Sequence, residues 1–224
     1  MEFLTGQLRP IYPFLGELYG AAWTTLTLSA QAIVAALILG TIVALGRVSA
    51  NRFIRIAAGC YVELLRNIPL LVLLYFIYFL MPALGLRFSP LTSALIGMAL
   101  HESAYMTEIL RAGLIAVPIG QYEAAQSQGM TRWQVQRHIV LPQVFRTIYA
   151  PLGTQFTMVI IASSLASAIS VDEVTGWMQT VGADTFRFFD VFFIAAIVYI
   201  VLCQFVYVLH AVVGRVLFGG LSRG

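Results

Sequence analysis

The sequence predicts an all-α membrane protein with five transmembrane helices, and three observations carry that expectation. The 224 residues are 60% hydrophobic and 10% charged, with a mean hydropathy of +0.88, whereas soluble domains carry about 25% charged residues. The apolar residues fall into runs near the roughly 20 that a bilayer-spanning helix needs. All 13 basic residues are arginine, and most stand at the ends of those runs, where they set topology. For that reason neither the net charge of +3 nor the pI near 9.0 signals a nucleic-acid partner. The length suits one domain, 1–224. Cys60 and Cys203 lie in or beside apolar runs and read as packing residues rather than a disulfide or metal pair.

Taken in order, residues 1–18 contain Pro10 and Pro13 and read as a short interfacial segment. They lack the basic start and immediate apolar core of a cleaved signal peptide. The first span is expected over 23–46, a stretch without charge, followed by Arg47, Arg52 and Arg55. The second is expected over 68–84, with an amphipathic lead-in from Tyr61. Glu63 and Arg66, three apart on that lead-in, are placed to pair on one helix face. Pro82 and Gly85 end the helix. The third span covers 90–110, the fourth 148–169 and the fifth 188–209. A loop holding Asp172, Glu173, Asp184, Arg187 and Asp190 separates the last two.

Between the third and fourth spans lies the longest polar interval, 120–142. The residues 121–128 read as a short helix of adequate helix formers. Gly129 ends it, since glycine takes a left-handed cap without steric cost. Thr131 caps a second helix running to about His138, and Pro142 falls near the start of the next apolar segment, where its missing N–H does little harm. Ala124 and Ala125 leave a flat surface that another protein can approach closely.

Five spans put the termini on opposite sides. Arg47, Arg52, Arg55 and Arg66 follow span one; Arg111, Arg132, Arg137 and Arg146 follow span three; Arg215 and Arg223 close the chain. Arg9, Arg87 and Arg187 share the other side with most of the acids. The positive-inside rule therefore predicts an N-out, C-in chain with segment 120–142 in the cytoplasm.

That segment carries a resemblance. Glu123-Ala124-Ala125, three residues, Gly129, nine residues, Ile139, any residue, then Leu141-Pro142 is similar to the signature of ABC importer permeases. Tyr61-Val62-Glu63-Leu64-Leu65-Arg66 with Pro69-Leu70-Leu71-Val72 resembles permeases for polar amino acids. So do Ala104-Tyr105, Glu108-Ile109, Arg111 and Gly113, and Pro151-Leu152-Gly153 with Gln155-Phe156, Ser163-Ser164-Leu165 and Val171 with Glu173. The matches cover 61–175. The resemblance implies a MetI-like type I importer permease in the bacterial inner membrane, multi-pass, that forms the translocation path. It implies that Glu123, Ala124, Ala125 and Gly129 belong to a coupling helix that docks on a dimer of ATPase subunits. It also implies a second permease copy or sister permease, an extracytoplasmic binding protein and an amino acid substrate. ATP and magnesium would sit on the ATPase; no cofactor is expected here, since no G-x-x-x-x-G-K-[ST] loop is present and no His/Cys cluster has metal spacing.

Glu108 and Arg111, an i, i+3 pair at the inner end of span three, read as a structural salt bridge. Glu102 lies within that span, where a carboxylate costs at least ~2.5 kcal/mol and marks a function or a partner. It and His101 form one half of an expected substrate path, with Thr154, Gln155, Ser163 and Ser164 on span four; a helix-holding pair is the alternative for Glu102. Ser163, Ser167 and Ser170 repeat at helical spacing, as in a packing seam. The sequence departs from its relatives at Ile161-Ala162, where many carry a Lys-Asp or Lys-Asn pair. Two other functions fit parts of this pattern: an intramembrane enzyme using Glu102 and His101, and a non-transporting scaffold or sensor that binds an ATPase.

Overall fold

The computed structural model describes residues 9–218, with side chains from residue 11. Residues 1–8 of the expected interfacial segment, the Arg9 side chain and Arg223 lie outside the described residues. Those described are helical throughout apart from short connections, with no strand among them.

Helix α1 (Leu15–Arg47) starts earlier than its apolar run. A 3-10 turn over Arg9–Phe14 leads straight into it and holds Pro13, tolerable because the first turn of a helix has N–H groups without partners. Much of the expected interfacial segment is therefore helix, and Ile11 is buried against Trp177, Val181 and Val191. Along α1 the buried positions are mostly small, among them Ala21, Thr25, Ala32, Ala36, Gly40 and Ala44. Small residues let membrane helices approach closely. A Cβ on Gly40 would lie 3.0 Å from the Ser103 carbonyl oxygen.

The second span is two helices. α2 (Arg52–Asn67) and α3 (Leu70–Tyr75) meet at a 100° bend, and α3 continues through a π turn, Phe76–Leu80, and a 3-10 turn, Met81–Leu84. The break falls at Ile68, whose backbone is extended (φ −92°, ψ 125°), because the residue before a proline is driven out of the α region. Gly85, with φ +86°, ends the helix as expected. Glu63 and Arg66 make no ion pair; the Arg66 guanidinium instead sits 5.2 Å from the Tyr105 ring centroid, where a cation over an aromatic face is favourable.

Helix α4 (Pro90–Ile115) is capped by Ser89, whose Oγ accepts from the Thr92 N–H at 3.1 Å. It runs one turn past the expected end. The polar interval forms α5 (Ile119–Ser127) and α6 (Arg132–Val135). Here the expected gap before the fourth span is absent. α6 passes through a π turn, Gln136–Val140, into α7 (Leu141–Ala162), so helix is continuous from Arg132 to Ile169. The π turn is where Pro142 is accommodated, since a proline ring otherwise clashes with the carbonyl four residues back.

The last turns of that rod are 3-10, Ser163–Ile169, and Ser170 is left-handed (φ +63°). The three serines therefore do not share one α-helical seam. Their hydroxyls compete with the backbone ladder: Ser163 donates to Ile160 O at 2.7 Å and Ser167 to Ser164 O at 2.8 Å. The expected outer loop contains a further helix, α8 (Val174–Thr185), ahead of α9 (Phe188–Phe218).

Contacts fix the relative directions. Gly40 meets Ser103, and Arg47 lies 3.5 Å from Glu108, so α1 and α4 run parallel. Gly113 meets Ile148 while Glu102 meets Gln155, so α7 is antiparallel to α4. Tyr149 meets His210 while Ile160 clusters with Ala195 and Leu202, so α9 is antiparallel to α7. The Tyr149 hydroxyl donates to His210 O at 2.5 Å, the His210 Nε2–H donates to Tyr149 O at 3.0 Å, and the rings stack 4.0 Å apart. Among the described residues, α1, α7 and α9 lie in stretches individually long and apolar enough to cross a bilayer, and the bent pair adds a fourth if its two helices form one span. α4 is long enough at about 1.5 Å per residue but less apolar. It is the central helix and buries Ser93, Glu102, Ser103 and Thr107.

Candidate functional site

The segment 120–142 is built by local rules. α5 ends at Gln128, and Gly129 (φ +79°) turns the chain with open space around it. Thr131 and Gln134 form a capping box: the Thr131 N–H donates to Gln134 Oε1 at 2.8 Å, and Thr131 Oγ1 accepts from the Gln134 N–H at 3.4 Å. Such a box satisfies two otherwise orphaned donors. Only Ala125 of the Glu-Ala-Ala triplet is buried, packed with Val117, Val135, Val140, Val144 and Ile148. Glu123 and Ala124 face outward, beside the exposed Ile119 and Trp133. The result is a short helix anchored on one face, presenting a polar and apolar surface on the other.

The end of α4 joins this base to the bundle. Arg111 donates to Glu108 Oε2 through Nε at 2.9 Å and Nη2 at 2.7 Å, the expected salt bridge. Arg47 reaches Glu108 from α1, and its guanidinium occupies the space beside Gly59, where a Cβ would be 2.7 Å away. A Cβ on Gly113 would lie 2.2 Å from Ile148 Cγ2, so glycine permits the close α4–α7 crossing.

Of the expected substrate-path residues the structure brings three together. Glu102 is 3% exposed. His101 Nδ1 lies 3.1 Å from Glu102 Oε1, and Gln155 Nε2 donates to Oε2 at 2.5 Å. The His101 ring then faces Tyr105 at 5.2 Å. Glu102 thus clasps α4 to α7 and is closed off. Thr154 is exposed on another face of α7, and Ser163 is fully buried. Ser164 lines a separate cavity of about 420 Å³, with Ile161, Thr175, Tyr199 and Phe192.

The residues 36–218 match the family of binding-protein-dependent transport system inner membrane components. The chain belongs to this family. It is similar to the probable amino-acid ABC transporter permease protein YckA of Bacillus subtilis, 36% identical over 180 residues, 80% of each chain. It is also similar to the L-cystine transport system permease protein TcyB of the same organism, 36% identical over 199 residues, 88% of this chain and 85% of the relative. Among solved structures, it matches one described as an amino acid ABC transporter with histidines. The TM-score is 0.85 at 30% identity, over 92% of this chain and 96% of that one. The permease is therefore a non-catalytic inner-membrane subunit, and family membership implies a separate ATPase and a substrate-binding protein as partners.

The sequence resemblance takes in Val171 and Glu173 but gives Glu173 no role in a site. Glu173 is fully buried at the start of α8. Its Oε1 accepts from the Gly176 N–H at 2.9 Å, its Oε2 accepts from the Tyr199 hydroxyl, and Tyr199 lies 2.9 Å from Thr175 Oγ1. Burial, the largest influence, holds the Glu173 carboxyl above its ordinary value, opposed by those hydrogen bonds. Its capping position before Val174-Thr175-Gly176 was the available signal, but an acid among several in an apparent loop did not stand out.

Proposed function

We propose that this permease forms, with a second copy or a sister permease, the translocation path of an ATP-driven importer for polar amino acids or close analogues. The observation that carries the reading is the complete Glu-Ala-Ala segment, folded as a helix, a left-handed glycine turn and a capped helix that continues without interruption into α7. A push on α5 is thus passed to a rod reaching Ile169. Glu123, Ala124, Ala125 and Gly129 form the coupling surface; ATP and magnesium belong to the ATPase dimer that docks there. The amino acid class is supported by the names of the relatives above. One domain crosses the membrane five times, N-out and C-in, with α4 as the central crossing.

The substrate path runs beside α4 and α7. Glu102 reaches a substrate only when Gln155 releases it, and a carboxylate in a low-dielectric site favours a cationic group. His101, Thr154, Ser163 and Ser164 are secondary members of that path.

The decisive experiment reconstitutes the permease with its ATPase and binding protein in vesicles and measures uptake of labelled amino acids. ATP-dependent accumulation is expected; ATP-independent turnover of any substrate by the isolated chain overturns the reading. A cytoplasm-dependent reporter fused after Gly224 is expected to be active, and one fused before Met1 inactive.

A further inference from the structure

A groove of about 710 Å³ lies between α7 and α9. Phe145, Tyr149 and Phe156 line it from α7, at i, i+4 and i+11. Val206, Val213 and Leu217 line it from α9, at i, i+7 and i+11, so each helix gives it one face. Phe145, Val213 and Leu217 are exposed there. Within the groove the Tyr149 and His210 rings stack, and the Tyr149 hydroxyl and the His210 Nε2–H are already spent on each other's backbone carbonyls. The lining holds no acid and one arginine, Arg146. Arg146 is exposed and has no ion pair or hydrogen bond among the described residues.

Depth, charge and direction say what fills it. After Arg146 no charged residue occurs until Asp172, and on α9 none occurs between Asp190 and Arg215. The two helices are antiparallel, so Arg146 and Arg215 mark the same edge of the hydrocarbon. From Arg146 to Phe156 the groove descends about 15 Å, at about 1.5 Å per residue, which is one leaflet of a core about 30 Å thick. Neither 132–169 nor 191–218 contains an Asp or Glu, so no carboxylate on either helix answers Arg146. Gln155, the α7 residue that reaches Glu102, stands about 120° round the helix from Tyr149. The groove is thus turned away from the Glu102 clasp. An apolar channel of one leaflet's depth, with an unanswered guanidinium at its mouth, suits an acyl chain beneath an anionic headgroup.

We propose that this groove holds one anionic phospholipid of the cytoplasmic leaflet, with an acyl chain along Tyr149, Phe156 and Val206 and the headgroup phosphate on Arg146. The choice of leaflet rests on the orientation given above; the lipid contact rests on the depth and charge of the groove. Arg146 stands four residues beyond Pro142, where the coupling segment ends. The lipid is therefore held at the root of the rod assigned to coupling.

The test places the photoreactive residue p-benzoylphenylalanine at position 145 of the complete reconstituted transporter. The vesicles hold phosphatidylglycerol and phosphatidylcholine in equal amounts, and the adducts formed on illumination are weighed by mass spectrometry. Phosphatidylglycerol adducts are expected to outnumber phosphatidylcholine adducts about fivefold, as one arginine near a headgroup gives. Arg146→Gln is expected to bring that ratio to about one while lipid is still captured. Val213→Trp, which fills the groove, is expected to suppress both adducts. An equal ratio in the parent, or an undiminished preference in Arg146→Gln, overturns the headgroup assignment. Undiminished capture in Val213→Trp overturns the acyl-chain site. Adducts to a second permease copy show a groove covered by protein and overturn the proposal, and a probe that captures nothing lies in water and overturns it too. Uptake by the same vesicles reads the import function, and the Gly224 reporter reads orientation. Failure of either is therefore distinct from failure of the lipid site.

Discussion

The two ends of this permease are held together in different ways. At the end carrying α8, long-range polar contacts close a buried centre. Glu173 caps α8 and takes the Tyr199 hydroxyl from α9, the Val174 N–H donates to Thr25 Oγ1 on α1 at 3.2 Å, and the Trp177 indole donates to Phe14 O at 3.0 Å. Within the segment 120–142 the polar contacts are local: a capping box, a glycine turn and a Ser127 hydroxyl bonded to Glu123 O four residues back. The first end is complete within the chain. The second is a stiff local unit whose exposed face, with Glu123 and Ala124, is covered by no other described part of the chain.

That contrast is open to test. Glu173→Ala should have the largest effect. It removes the cap bond and so strands the Gly176 N–H, at about 1–3 kcal/mol, and it leaves the Tyr199 hydroxyl with Thr175 alone. Thermal unfolding of the purified permease should shift accordingly; an unchanged midpoint would show that the Glu173 centre is dispensable. Gly129→Val should come next, and in another currency. A β-branched residue at φ +79° costs about 1–2 kcal/mol. Unfolding should move only slightly while ATP-driven uptake collapses. Normal uptake by this variant would remove the coupling role from the turn.

Glu102→Gln keeps the shape of the clasp and removes its charge. Uptake should fall while assembly with the ATPase and stability stay near those of the parent. Transport unchanged across the pH range would leave Glu102 as a helix clasp alone. The smallest effect is a pH dependence. With its folded value raised by burial, Glu173 contributes stability that is full below the unfolded carboxylate value, 4.5, and is lost as pH rises through the folded value. The parent should therefore lose stability as pH rises from 4.5 to the raised folded value, and Glu173→Gln should flatten the profile. An identical profile in the variant would assign the dependence to other groups.

The sequence by itself determined most of the coupling end. Its helix, left-handed glycine and threonine cap are decided within a few residues, because cap and turn energetics depend on neighbours in the chain. It also marked the apolar runs, since the cost of placing charge in hydrocarbon is paid residue by residue. What needed the tertiary structure was everything set by a partner distant in sequence. Glu63 and Arg66 had the spacing to pair, yet Tyr105, 39 positions beyond Arg66 in sequence, takes the guanidinium. Glu173 looked like a loop acid until Tyr199 and Thr25 closed around it. Glu102 was open in sequence to a cavity or to a partner, and only the fold brings Gln155 to it from α7. Periodicity reports which face of a helix is apolar, but the neighbour that covers that face is chosen by packing among all the helices at once.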